Sequence, residues 1–203
     1  MFGAMDFLFT VRVMTMANIF YIIGASGSGK DSLIRYAREN IPSELQVVFT
    51  HRYITRPANA GGENHIALNE KEFFFRQKMG CFAMNWYSHS THYGIGIEIN
   101  QWLAKGINVV MNGSRGYLEQ AIKRYPELKP VLIRVDPNVL RKRLELRGRE
   151  NENEIEQRLK QAIILEKSAS HPQLITIDNN DSLNIAGEQL ITVIQSQKEA
   201  LCV

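Results

Sequence analysis

The sequence predicts an α/β fold, a parallel sheet wrapped by helices, on three observations. Short apolar runs alternate with helical patterns along most of the chain. A glycine-rich loop ending in lysine stands directly after the first of those runs and opens a helical stretch. The length, 203 residues, suits one domain with a small inserted subdomain or lid.

The elements follow in order. Apolar runs at 19–23, 47–54, 109–112, 131–135 and 174–177 read as strands. Between and after them, residues 32–39, 98–104, 117–125, 137–147, 154–168 and 183–195 read as helices. Asp136-Pro137 and Ser182 look like helix starts, with proline accommodated at the first helical position. Two segments break the alternation. Residues 56–95 are long enough for a small subdomain, with Phe73-Phe74-Phe75 expected in its core. Residues 147–158, "RGRENENEIEQR", are dense in charge and read either as a solvated helix start or as a lid carrying arginines.

Composition narrows the function classes. Hydrophobic residues make up 44% and charged residues 22%, enough for a packed core. The net charge of +3, from 24 basic and 21 acidic residues, is too mild to point to nucleic acid but suits a small polyphosphate. No apolar run reaches the roughly 18 residues of a membrane-spanning helix. Cys81 and Cys202 have no metal spacing and read as reduced thiols of a cytoplasmic protein. The spacing of His89 and His92 brings no further ligands with it, so hydrogen-bonded or surface roles are expected for the histidines. Residues 1–15 lack a basic start and are interrupted by Asp6 and Arg12, so they do not read as a signal peptide. They are expected to be an extension without a catalytic role, ahead of a single domain over 16–203.

The loop "GASGSGKDS" is the main functional signal. In Gly24, Ala25, Ser26, Gly27, Ser28 and Gly29 the glycines let backbone N–H groups turn inward toward phosphate oxygens, and the following helix adds its positive end. Lys30 is placed to reach the β- and γ-phosphates of a nucleotide such as ATP. The position after the lysine, which normally offers a hydroxyl to Mg²⁺, is Asp31, and the hydroxyl comes one residue later at Ser32. Either Asp31 or Ser32 is a candidate Mg²⁺ ligand, since both offer hard oxygen.

From residue 19 onward the chain resembles guanylate kinase. "ITRPANAGGE" looks like that family's "TTRxPRxGE", "GCFAMNWYSHSTHYG" aligns with "GEFLEWAEVHGNYYG", and "LRKRLELRGRENENEIEQRL" aligns with its lid. The resemblance implies a P-loop kinase: a three-layer sandwich with a parallel central sheet, an acceptor-binding subdomain at about 50–95 and a helical lid at about 143–158. It places Arg143, Arg147 and Arg158 on the family's lid arginines, Arg56 on the arginine of "TTR" and Tyr93 on the tyrosine that binds the acceptor phosphate. Glu63 falls one residue beyond the family's "GE" and is expected to orient an arginine or a substrate hydroxyl. Arg149 lies in the lid without a family match, and Asn179-Asn180 falls where the family's late loop approaches adenine, or simply forms a turn.

The mismatches are as informative as the matches. Where guanylate kinases hold guanine with an acid, a hydroxyl and a second acid, this chain has Met84, Ile95 and "NGSRG" at 112–116. Each lost partner leaves a purine group unpaired, at about 1–3 kcal/mol. Arg52 and Arg115 are additional, and arginine offers paired donors to phosphate. "GASGSGKDS", "RYITRPANAGGENHIAL" and "NGSR" together are similar to the ribose 1,5-bisphosphate phosphokinases, guanylate-kinase-like enzymes of bacterial phosphonate breakdown. That resemblance implies transfer from ATP, with Mg²⁺, to the C1 phosphate of ribose 1,5-bisphosphate. The acceptor phosphate is already mostly ionised near neutral pH, its second pKa being about 6, so no general base is required. Two other readings stand beside it: guanylate kinase or another small phosphate-acceptor kinase, and a non-catalytic binding module. Retention of Lys30 and the three lid arginines argues against the module.

Overall fold

The computed structural model describes residues 17–60, 63–148, 150–167 and 171–196. The expected extension at 1–15, Arg149 and Cys202 lie outside them.

The first sheet is parallel, with strands β1 (Ile19–Gly24), β2 (Val47–Phe49), β7 (Asn108–Asn112), β8 (Lys129–Arg134) and β9 (Ile175–Asp178) in the order β2-β7-β1-β8-β9. Central β1 is apolar without interruption because both of its faces are covered. Phe20 and Ile22 enter one core with Leu33 and Ala37 of α1 (Lys30–Asn40) and Leu190 and Ile194 of α7 (Leu183–Ser196). Ile19, Tyr21 and Ile23 enter the other, with Ile99 of α3 (Ile99–Ala104) and Ala121 of α4 (Leu118–Arg124). Three layers result. Burying one such aromatic or branched side chain contributes about 1.5–3 kcal/mol.

The expected strand at 47–54 is two strands in two sheets. Val47–Phe49 ends the parallel sheet, the chain turns at Thr50 and His51, and β3 (Arg52–Ile54) opens a second sheet. That sheet adds β4 (Ile66–Ala67), β5 (Phe82–Ser88) and β6 (Thr91–Gly96) in the order β4-β3-β6-β5 and spans Arg52 to Gly96. His89 and Ser90, both at positive φ (48° and 55°), close the β5–β6 hairpin as a two-residue turn whose twist matches the strands. Helix α2 (Glu70–Lys78) covers one face of this sheet, capped by Asn69, which accepts from the Glu72 N–H at 2.8 Å. Of the three consecutive phenylalanines only Phe73 is buried; Phe74 and Phe75 are 46% and 63% exposed. Successive helical residues point about 100° apart, so three in a row cannot share one core.

Helices α5 (Pro137–Arg147) and α6 (Glu152–Lys167) form a pair over the carboxyl ends of the parallel strands, packed through Leu140, Leu144, Ile155 and Leu159. Asp136 caps α5 as expected, accepting from Asn138 N–H at 2.8 Å. Residues Asn151 and Glu154 form a reciprocal capping box on α6, at 3.0 and 2.8 Å. No described helix is long and apolar enough to cross a membrane.

Candidate active site

In an open α/β sheet the ligand crevice lies beyond the carboxyl ends of the strands, where the chain switches sides. Here β1 lies between β7 and β8, and a cleft of about 1430 Å³ opens above it.

The donor side is built from backbone. Gly29 caps α1 at φ 88°, and a Cβ there would stand 2.5 Å from the Asn179 amide nitrogen. Asn179 is almost fully buried and donates to the Ser28 carbonyl at 2.7 Å, so it braces the loop from β9. Asn180 accepts from the Asp136 N–H at 2.7 Å. The Lys30 ammonium donates to the carbonyls of Gly24 (2.8 Å) and Ala25 (3.0 Å) across the loop mouth. Its withdrawal from solvent pushes its pKa down to about 8, against the opposing pull of Asp31. The Asp31 carboxylate accepts from the Asn112 amide at 2.6 Å. Asn112 ends β7, is only 8% exposed, and keeps its own carbonyl oxygen buried without a hydrogen-bond partner among the described residues. Ser32 follows on the first turn of α1 and lines the cleft.

The opposite side of the cleft is built from side chains. Register places Arg52, Ile95 and Met84 in one rung across β3, β6 and β5, and Ile54, Tyr93 and Trp86 in the next. Alternation sends both rungs to the face opposite α2. There Tyr93 and Trp86 stack with centroids 5.5 Å apart and planes within 5°, and Trp86 stacks on Tyr117 at 5.5 Å. The Arg52 guanidinium lies 4.9 Å over the outer face of Tyr93, which completes a four-layer stack. Glu63 holds Arg52 through two parallel hydrogen bonds, Nε to Oε1 at 2.5 Å and Nη2 to Oε2, with Arg56 3.7 Å away on the same carboxylate. Burial works against the charge of Arg52, but the bonds and charge of Glu63 outweigh it, and its pKa is raised. The buried His65 ring lies between two carbonyls, with Nδ1 3.1 Å from that of Glu63 and Nε2 3.2 Å from that of Arg56, and its N–H can donate to one of them. The Tyr21 hydroxyl donates to the Ser114 carbonyl and accepts from its N–H, both at 2.9 Å, which fixes the turn that presents Arg115. A Cβ at Gly113 would overlap the Tyr21 ring.

Met84 and Ile95 are 1% and 0% exposed and belong to the core beneath the main sheet. Their side chains are apolar and offer no hydrogen bond to a purine edge.

Helices α5 and α6 complete the cleft. Arg143 and Arg147 come from α5 and Arg158 from α6. Burial lowers the pKa of Arg143 and of Arg115. Arg158 donates to the Ser26 hydroxyl, so α6 and the glycine-rich loop touch directly. Glu150, with a side chain only 6% exposed, pairs with both Arg147 and Arg158, the latter at 3.1 Å.

Of the residues singled out in the sequence, Gly24, Ser26, Gly27, Gly29, Lys30, Asp31, Ser32, Arg52, Tyr93, Arg115 and the three lid arginines line one cleft. Ala25, Ser28, Arg56 and Glu63 are not among its lining residues; Glu63 pairs with Arg52 and lies 3.7 Å from Arg56. The pairing of Asn112 with Asp31, the Asn179 brace, the Trp86 stack and Glu150 were not anticipated. The extra carboxylate after Lys30 was the one available signal for the first.

The comparisons agree with this geometry. No protein-family model matches the chain. The fold is similar to that of guanylate kinase from Anaplasma phagocytophilum, with a TM-score of 0.69 over 92% of this chain and 88% of that one, at 14% identity. The chain is 51% identical to ribose 1,5-bisphosphate phosphokinase of Psychromonas ingrahamii, over 88% of this chain and 90% of that protein. It is 52% identical to the enzyme of the same name from Thiobacillus denitrificans, over 89% and 94%. The chain therefore belongs to the ribose 1,5-bisphosphate phosphokinase family, on a guanylate-kinase-like fold.

Proposed function

We propose that the protein transfers the γ-phosphate of ATP to the C1 phosphate of ribose 1,5-bisphosphate, giving 5-phosphoribosyl 1-diphosphate and ADP. The name borne by its relatives supports the substrate. The observation that carries the reading in this chain is the acceptor wall. Arg52 and Arg115 offer cationic donors there, while Met84 and Ile95, where a base would be read, are sealed in the core.

Loop backbone and Lys30 hold the donor. The oxygens of Asp31 and Asn112 suit Mg²⁺, being hard ligands, and the buried, unpartnered Asn112 carbonyl fits such a role. Asp31, with Asn112 or Ser32 beside it, would hold the ion, which would neutralise charge on the β- and γ-phosphates. Arg52, Arg115 and Tyr93 hold the acceptor, with Arg56 behind them and Glu63 orienting Arg52. An ionised oxygen of the C1 phosphate bonds to the γ-phosphorus as the bond to the ADP oxygen breaks. Arg143, Arg147 and Arg158 offset the charge spread over the transferred group. The subdomain at about 50–95 and the lid at about 143–158 close around the reaction and exclude water. A reducing cytoplasm is the setting this chemistry implies, and the exposed free thiol of Cys81 suits it.

Phosphorus-31 NMR of the product tests the assignment. A new diphosphate on C1, with the 5-phosphate signal unchanged, is expected. Phosphate transferred to a sugar hydroxyl, or no consumption of the sugar bisphosphate, would overturn it.

A further inference from the structure

We propose that Glu150 is a positioning residue for phosphoryl transfer, gathering Arg147 and Arg158 over the phosphate loop. This rests on the reading of those arginines as the groups that meet the transferred phosphate.

Two guanidinium groups from different helices converge on one carboxylate oxygen, Oε1 of Glu150. Without an anion between them their like charges would push the side chains apart, all the more in a partly desolvated cleft. Both arginines are about one-third exposed, at 32% and 33%, whereas the Glu150 side chain is 6% exposed. The carboxylate is therefore the fixed member and the arginines are arranged around it. Its second oxygen, Oε2, is buried without a hydrogen-bond partner among the described residues. A buried acceptor left unpaired weakens the fold, so stability alone does not account for a glutamate here. Its position does: Arg158 reaches Ser26 of the phosphate loop while it is held by Glu150. A guanidinium has five N–H donors, so contact with Glu150 leaves donors for phosphate oxygens. The other glutamates of the lid do different work. Arg141 takes Glu152 at 2.6 Å, Glu145 at 3.8 Å and Glu156, and so ties α5 to α6 away from the loop.

The test is Glu150→Gln beside Arg141→Ala in the full chain, with thermal melting as the check on folding. Glu150→Gln keeps the shape and removes the charge. Its kcat is expected to fall about 10- to 100-fold, with KM for ATP and for the sugar bisphosphate within about 3-fold of the parent. Glu150→Asp should recover part of the loss. Arg141→Ala should lower the melting temperature and leave kcat within about 3-fold. An acceptor-independent readout separates this proposal from the substrate assignment. The parent protein is expected to bind ADP with tetrafluoroaluminate more tightly than ADP alone, and Glu150→Gln to lose about tenfold of that gain. An unchanged kcat or an unchanged gain in Glu150→Gln would overturn the assignment. So would an absent gain in the parent, or an equal kcat loss in Arg141→Ala, which would make lid stiffness the cause. If the parent fails on the sugar bisphosphate yet shows the gain and the variant loses it, Glu150 keeps its role and the substrate assignment falls.

Discussion

The two halves of the cleft are made differently. The half proposed to hold the donor is backbone: loop amides, a helix start and a lysine anchored on carbonyls, all hung from the central strand. The acceptor half is side chains on a small antiparallel sheet: an aromatic stack, an arginine pinned by a glutamate, and two apolar residues sunk into the core. A phosphate-binding backbone depends on chain conformation and tolerates little change. A wall of side chains changes its ligand by substitution alone. On the proposed reading, the difference teaches that substitutions in the side-chain wall can change the acceptor while the loop that holds the donor stays as it is.

That contrast can be broken most forcefully at Lys30. Lys30→Ala should lower kcat on the order of 10³-fold with acceptor binding intact, as read by steady-state kinetics and calorimetry with the sugar bisphosphate. Loss of acceptor binding as well would erase the division. Next in size is Glu63→Gln, which leaves the largely desolvated Arg52 without its charged partner. The KM for the acceptor should rise about 10- to 100-fold with the KM for ATP unchanged, and part of the roughly 3–5 kcal/mol cost of breaking a buried pair should appear in urea unfolding. A smaller effect is expected from Asp31→Asn, which should raise the Mg²⁺ requirement about tenfold; an unchanged Mg²⁺ titration would remove Asp31 from the ion's surroundings. The smallest is a pH effect. Lys30 titrates near 8 when folded and near 10.5 when exposed, so the unfolded chain binds more protons between those values. Its contribution to stability should therefore rise with pH from about 8 toward 10.5, while kcat/KM for ATP falls through the same window as its charge is lost.

The donor half was legible in the sequence because its signals are contiguous: an apolar strand, a glycine loop, a lysine and a helix in one stretch of chain. The acceptor half was legible only through resemblance. Its strands are short and mixed in polarity, so 47–54 read as one strand although its two ends belong to different sheets. Three phenylalanines suggested a core that helical geometry allows only Phe73 to join. Arg56 carries the expected motif, and its guanidinium lies 3.7 Å from the Glu63 carboxylate that also holds Arg52, a convergence its sequence position does not announce. Asp31 and Asn112 are 81 residues apart and meet only when β7 pairs with β1. Glu150 was hidden in a charge run, where nothing local separates a clamp from a solvated face.

The ratio of kcat/KM for ribose 1,5-bisphosphate to that for GMP tests the rewritten acceptor wall most directly. A ratio above about 30 is predicted, since two or three unpaired purine groups at about 1–3 kcal/mol each sum to at least about 2 kcal/mol. A ratio near or below one would mean that guanine still finds partners in the cleft, and that burying Met84 and Ile95 did not change the substrate.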